Sequence, residues 1–104
     1  MPYTVVFTPE AENQLTELYR YVAQAASPEV AQRYVEAIVT YCEGLQSFPH
    51  RGSQRDDIRP GLRMTNYKER CVLAFAVTDE LVSVVGVFYG GQDYETVLRS
   101  DWEA

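Results

Sequence analysis

Two nearly unbroken apolar runs, residues 71–77 and Leu81–Tyr89, are separated only by Thr78-Asp79-Glu80. Strands without polar alternation are buried on both faces, and so short a polar connector makes the two a hairpin. The chain is thereby committed to a sheet covered on both sides, and the remaining residues must supply the cover.

The other elements follow from local signals. Residues 3–7 form a short β-branched and aromatic run, a first strand. Thr8-Pro9-Glu10 stops it and starts a helix: Thr8 suits the N-cap, Pro9 the first helical position, and Glu10 the positive end of the helix dipole. Ala11, Leu15, Leu18, Val22 and Ala25 then recur at helical spacing over about four turns. Ser27-Pro28-Glu29 repeats the start signal, and the second helix carries Ala31, Tyr34, Val35, Ile38, Tyr41, Cys42 and Leu45 on one face. The two helices read as an antiparallel hairpin with a tight connection. Val30, Ala37 and Val39 lie off the main stripe, and Tyr19 and Tyr21 widen the first helix's apolar face. That breadth has two readings: aromatic edges at a small domain's surface, or a groove for a partner helix.

Residues 48–57 read as a loop rich in Pro, Gly, Ser and charge. Leu62–Tyr67 alternates, with Leu62 and Met64 on one face and Arg63, Thr65 and Tyr67 on the other, a half-exposed strand. The next strand opens at Arg70, and Gly90-Gly91 ends the last one. Residues 93–98 suit a turn of helix, and 99–104 a polar tail containing Trp102. The expected architecture is α+β: a short N-terminal strand, an antiparallel two-helix hairpin, then a three-stranded antiparallel meander forming one sheet with the first strand. With 104 residues and no repeat or linker, a single domain over 1–104 is expected.

Charge is segregated. The chain carries a net charge of −6, yet residues 48–70 hold six of its nine Lys and Arg residues: Arg51, Arg55, Arg59, Arg63, Lys68 and Arg70. The overall balance weighs against a general nucleic-acid binder, while the local window suits an anionic partner. Arg63 and Arg70, on strands joined at Lys68-Glu69, are expected to approach one another, compensated either by Asp56, Asp57 and Glu69 or by a bound anion. The chain contains no nucleophile elbow, phosphate-binding Gly loop, HExxH or paired-Cys motif. His50, the one histidine, sits between Pro49 and Arg51 and reads as a solvated loop residue. Cys42 and Cys71 read as small hydrophobes, without zinc spacing or an expected disulfide. The glutamates of the helices form a solvated face. No cofactor or metal is expected. Neither a signal-peptide pattern nor an apolar run of membrane-spanning length is present, so a cytoplasmic location is expected.

Several motifs together resemble the ParE/RelE superfamily of bacterial type II toxins, over nearly the whole chain. Val6-Phe7-Thr8-Pro9-Glu10-Ala11-Glu12, with Leu15, Tyr19 and Tyr21, is similar to the family's first strand and helix. Phe48-Pro49 followed by Gly52 resembles its loop after the hairpin. Asp57-Ile58-Arg59-Pro60-Gly61-Leu62-Arg63, with Arg70 and Val72, resembles the ParE side most specifically. Phe88-Tyr89-Gly90-Gly91-Gln92-Asp93 departs from the basic Leu-His-Gly-Arg-Arg-Asp type of stretch common in ParE-like chains.

The resemblance implies a RelE/ParE-like fold and a non-enzymatic poison of DNA gyrase. It would be kept inactive in a hetero-oligomer by a cognate, ParD-like antitoxin whose disordered segment folds onto the toxin. It assigns antitoxin contact to Tyr19, Val22, Val30, Tyr34, Arg63 and Arg70, and target contact to Arg59, Tyr67, Tyr89, Tyr94 and Trp102. The RelE side of the superfamily implies an alternative, a ribosome-dependent mRNA endonuclease using Arg63, Arg70 and Tyr89. By position, however, Thr65, Gln92 and Val97 fall near places where such nucleases carry Lys, Arg and Tyr. Metal-free phosphodiester cleavage needs that missing charge at the transition-state oxygens. A third reading, a binding module of the same fold without toxicity, follows from the departure at residues 88–93.

Overall fold

A computed structural model describes residues 3–68 and 71–90. The expected order of elements is present, with one strand more. Strand β1 (Thr4–Phe7) leads into helix α1 (Pro9–Ala25) and helix α2 (Pro28–Glu43), and a 3-10 turn follows at Gly44–Gln46. Then come β2 (Ser53–Gln54), β3 (Leu62–Tyr67), β4 (Cys71–Thr78) and β5 (Leu81–Tyr89). The turn of helix and the tail expected over 93–104 lie outside the described residues.

Both helices begin as their capping signals dictate. The Thr8 hydroxyl accepts from the Ala11 amide and the Ser27 hydroxyl from the Val30 amide, each at 3.2 Å, with Pro9 and Pro28 in the first turn. Such caps stabilise a helix by about 1 kcal/mol each. Only Ala26 and Ser27 separate the helices. Leu45 is buried from the 3-10 turn, just past the end of α2 rather than within it.

The sheet order is β1-β5-β4-β3-β2. The antiparallel meander β3-β4-β5 is present, and its β4–β5 hairpin turns on Asp79 and Glu80, Asp79 adopting φ 44°. Two features go beyond the expected sheet. Strand β1 pairs parallel with β5, Thr4 opposite Leu81 and Phe7 opposite Val84, so the first strand closes against the last. Within the stretch read as a loop, Ser53 and Gln54 pair with Met64 and Arg63, adding β2 as an edge.

The continuous apolar runs are explained by two cores. Cys71, Leu73, Phe75, Val82, Val84 and Val87 face the helices and pack on Ala11, Leu18, Val22, Ala31, Ile38 and Cys42. On the opposite face, Leu62, Met64, Ala74 and Phe88 are covered by Ile58 from the loop before β3. Fully burying a side chain of this size contributes roughly 1.5–3 kcal/mol. An irregularity beside Ala74/Phe75 keeps both cores in phase: Phe75 pairs with Val84, whereas Ala74 pairs with Gly86, so Val85 is the extra residue. The bulge lets Val84 and Val87 face the same side despite an odd spacing. Beyond the bulge, the Val87 amide donates to Oε1 of Gln14 on α1 at 2.7 Å. A Cβ on Gly86 would lie 2.4 Å from the Phe88 ring, so glycine is what lets that ring settle into the second core.

Among the described residues, no helix is long and apolar enough to cross a membrane.

Candidate partner-binding surface

Tyr67, Cys71 and Tyr89 share one rung at the end of the sheet, and all three belong to the face on which the helices pack. The cysteine in the middle is small and buried, and Tyr34 of α2 packs against the same core. The Tyr34 ring stands edge-on to Tyr67 at 6.5 Å and to Tyr89 at 5.9 Å. Tyr89 continues to Tyr21 of α1 at 5.7 Å, and Tyr67 to Tyr41 of α2 at 5.1 Å. Tyr34 and Tyr41 lie two helical turns apart, hence on one face of α2. Five tyrosines thus form a continuous seam along the junction of helices and sheet. Tilted and edge-to-face pairs of this kind contribute about 0.5–1.5 kcal/mol beyond their burial.

Cations border the Tyr41–Tyr67 end. The Arg51 guanidinium lies over Tyr41 and Phe48, 5.2 and 5.5 Å from their centroids, and Lys68 Nζ lies 5.7 Å from that of Tyr67. The Tyr41 hydroxyl also meets the Thr65 hydroxyl at 3.4 Å. At the opposite end, Gln14, Glu17, Leu18, Tyr21 and Tyr89 line an open cleft of about 370 Å³ between α1 and the end of β5.

Arg63 departs furthest from expectation. Its Nε donates to the Arg51 carbonyl at 3.2 Å, and its Nη2 donates to the carbonyls of His50 and Gly52. The guanidinium holds the residue 50–52 loop against β3 instead of standing ready for an anion. Its cross-strand neighbour is Phe75, four rungs from the Tyr67–Cys71 pair, and the expected approach to Arg70 falls outside the described residues. Of the acids expected to compensate it, Asp56 and Asp57 are engaged with other groups, and Glu69 lies outside the described residues. Asp57 forms a two-pronged pair with Arg55, both contacts 3.0 Å, and Asp56 accepts from the Gly61 amide at 2.8 Å.

The remaining candidates divide. Tyr19 and Val30 are exposed on the helices, whereas Val22 is in the core and presents no free surface. Tyr34, Tyr67 and Tyr89 are half-buried in the seam. Arg59 is half-buried in the loop whose Ile58 covers the far face of the sheet, so the fold does not bring it to Tyr67 and Tyr89. Arg70, Tyr94 and Trp102 lie outside the described residues. Sequence reasoning left Tyr21, Tyr41, Phe48 and Arg51 out of the candidate contacts. The seven-residue spacing of Tyr34 and Tyr41 could have pointed to Tyr41, but nothing local announces that Arg51 folds back over it.

Burial pushes the Cys42 thiol up to about 12, with smaller contributions from nearby Cys71 and Glu43, and the Cys71 thiol up to about 11. Both are inert as nucleophiles near neutral pH. Among the described residues, no group of three or more His, Cys, Asp and Glu side chains could hold a metal ion.

A helical hairpin over a five-stranded mixed sheet is a fold also found in two solved toxin–antitoxin structures. The toxin–antitoxin complex from the chromosomal ParDE system of P. aeruginosa contains a similar chain, with a TM-score of 0.73 and 22% identity, covering 85% of this chain and 96% of that one. The RelBE2 toxin–antitoxin complex of Mycobacterium tuberculosis gives 0.64 and 23%, covering 88% and 95%. No curated protein sequence matches the chain. Residues 5–94 match the model of the ParE toxin of the type II toxin–antitoxin system parDE. The chain belongs to that family.

Proposed function

We propose that this chain binds and poisons DNA gyrase and is held inactive in a hetero-oligomer by a cognate antitoxin. Family membership supports the reading, but the observation that carries it is the chemistry of the seam. Where a ribonuclease of this fold would need several cations converging on a phosphate, this chain carries tilted and edge-to-face tyrosines, with Arg51 and Lys68 each lying over a ring at one end of the seam. Arg63, the nearest strand arginine, has its Nε and Nη2 directed at three loop carbonyls. Half-buried aromatic rings with polar tips suit protein contacts.

The antitoxin contact is assigned to Tyr19, Tyr21, Val30 and Tyr34 on the helices, with Arg70 retained from the sequence and Val22 withdrawn. Tyr67 and Tyr89 are proposed for target contact, together with Tyr94 and Trp102, and bound antitoxin would cover Tyr67 and so block the target. Purified toxin added to gyrase is expected to abolish supercoiling and accumulate cleaved DNA, and cognate antitoxin should reverse both effects. Unimpaired supercoiling at saturating toxin rejects the proposal. Codon-specific mRNA cleavage on ribosomes would replace it with the endonuclease reading.

A further inference from the structure

Arg51 and Lys68 are exposed, each lies over a tyrosine of the seam, and neither has a carboxylate partner among the described residues. Their neighbours are otherwise employed: Arg55 is held by Asp57 and Arg63 by the loop carbonyls. Arg51 is also pre-positioned, because its own carbonyl is one of the three that Arg63 grips. Phe48, 63% exposed, flanks the same guanidinium. The result is a strip with a cation over each ring of the Tyr41–Tyr67 pair and an exposed phenyl ring at one end, on a chain of net charge −6.

We infer that the Phe48–Arg51–Tyr41–Tyr67–Lys68 strip is a docking site for an acidic peptide segment, its carboxylates meeting Arg51 and Lys68 and its apolar side chains lying on Phe48 and the tyrosines. It rests on the reading above for the source of that segment, the antitoxin. Charge complementarity selects the occupant. A guanidinium lying over a ring still presents its N–H edge outward, where it matches a carboxylate two-pronged. Single-stranded nucleic acid fits less well. The cations already lie over the ring faces that bases would stack on, and a polyphosphate would feel the repulsion of the whole acidic chain.

The test uses the purified chain alone with three labelled probes: a short peptide of Glu, Leu and Ala, its twin with Gln at every Glu position, and an oligothymidine strand. Fluorescence anisotropy at low salt is expected to show the Glu peptide binding about tenfold more tightly than its twin, the scale of a pair of well-formed ion pairs. Arg51→Glu with Lys68→Glu should remove that difference. Arg20→Glu with Arg33→Glu, an equal charge change on the helices, should largely preserve it, and circular dichroism checks that both variants fold. Equal binding of the two peptides, equal losses in the two double variants, or tighter binding of oligothymidine would each overturn the inference. Because gyrase is absent, failure here is distinguishable from failure of the supercoiling assay.

Discussion

Replacing Gly52 with alanine isolates the energetics of the loop that carries Arg51. Gly52 has φ 79°, and a Cβ there would lie 2.2 Å from the Met64 carbonyl oxygen and 2.9 Å from its carbon. The obstacle is backbone, so no side chain can swing aside to relieve it. If the loop stays docked, the left-handed conformation costs about 1–2 kcal/mol and the overpacking roughly 1–3 kcal/mol more. If the loop lifts off, β2 loses its two rungs on β3 and Arg63 its carbonyl acceptors. At about 0.5–1.5 kcal/mol net for a neutral hydrogen bond and 1.5–3 kcal/mol for a charged one, that route loses at least as much. The less costly, docked route sets the expected destabilisation at about 2–5 kcal/mol, a fall in Tm of roughly 10–40 °C for a domain of this size. Arg63→Ala releases the same loop from the other side. In a double-mutant cycle followed by thermal or urea denaturation, the two changes should therefore couple, the double variant losing little more than the worse single one. Additivity within about 0.5 kcal/mol would refute the clasp, as would a Gly52→Ala protein melting within a few degrees of the parent.

Three further outcomes are expected. Gly86→Ala pushes the Phe88 ring off its seat and should destabilise by about 1–3 kcal/mol, with Gly86→Ala/Phe88→Leu recovering part of the loss in urea titrations. Gln14→Leu leaves the Val87 amide without its acceptor, for a loss of about 1–3 kcal/mol and faster hydrogen exchange at Val87 than at Val84. Cys42 and Cys71 should resist a thiol reagent in the native chain and react fully once it unfolds. Their ionisation lies at 9.0 for an ordinary thiol and at about 12 and about 11 in the fold, so the unfolded chain sheds these protons first. Their contribution to stability is therefore intact below pH 9 and declines as pH rises from there through the native values, a slope that Cys42→Ala should lessen in urea midpoints measured across that window.

The sequence disclosed what is local and withheld what is distant. Thr8-Pro9 and Ser27-Pro28 place both helix starts because a cap needs only its own first turn. The meander is legible because short polar turns join neighbouring strands. The parallel contact of β1 with β5 left no trace, since Thr4 and Leu81 are neighbours only after everything between them has folded. The bulge at Val85 was hidden inside an apolar run that looks uniform whichever face each residue takes. At the candidate surface, Tyr34 was legible from helical periodicity. The misjudged role of Arg63 has a plain cause: charge in a sequence advertises a partner, whereas here the partner is backbone carbonyl, which no residue type announces.

The pairing of β1 with β5 also sets a schedule for synthesis. Residues 4–7 leave the ribosome first but have no sheet to join until residues 81–84 follow, a wait of roughly 4–15 s at 5–20 residues per second. During that interval the Thr-Val-Val-Phe segment is an unpaired, uncharged strand former, the kind that adheres to other nascent chains. A newborn copy is thus most vulnerable to misassociation before its last strand emerges, and a variant with a slower-forming β4–β5 hairpin should show this first as poor soluble yield.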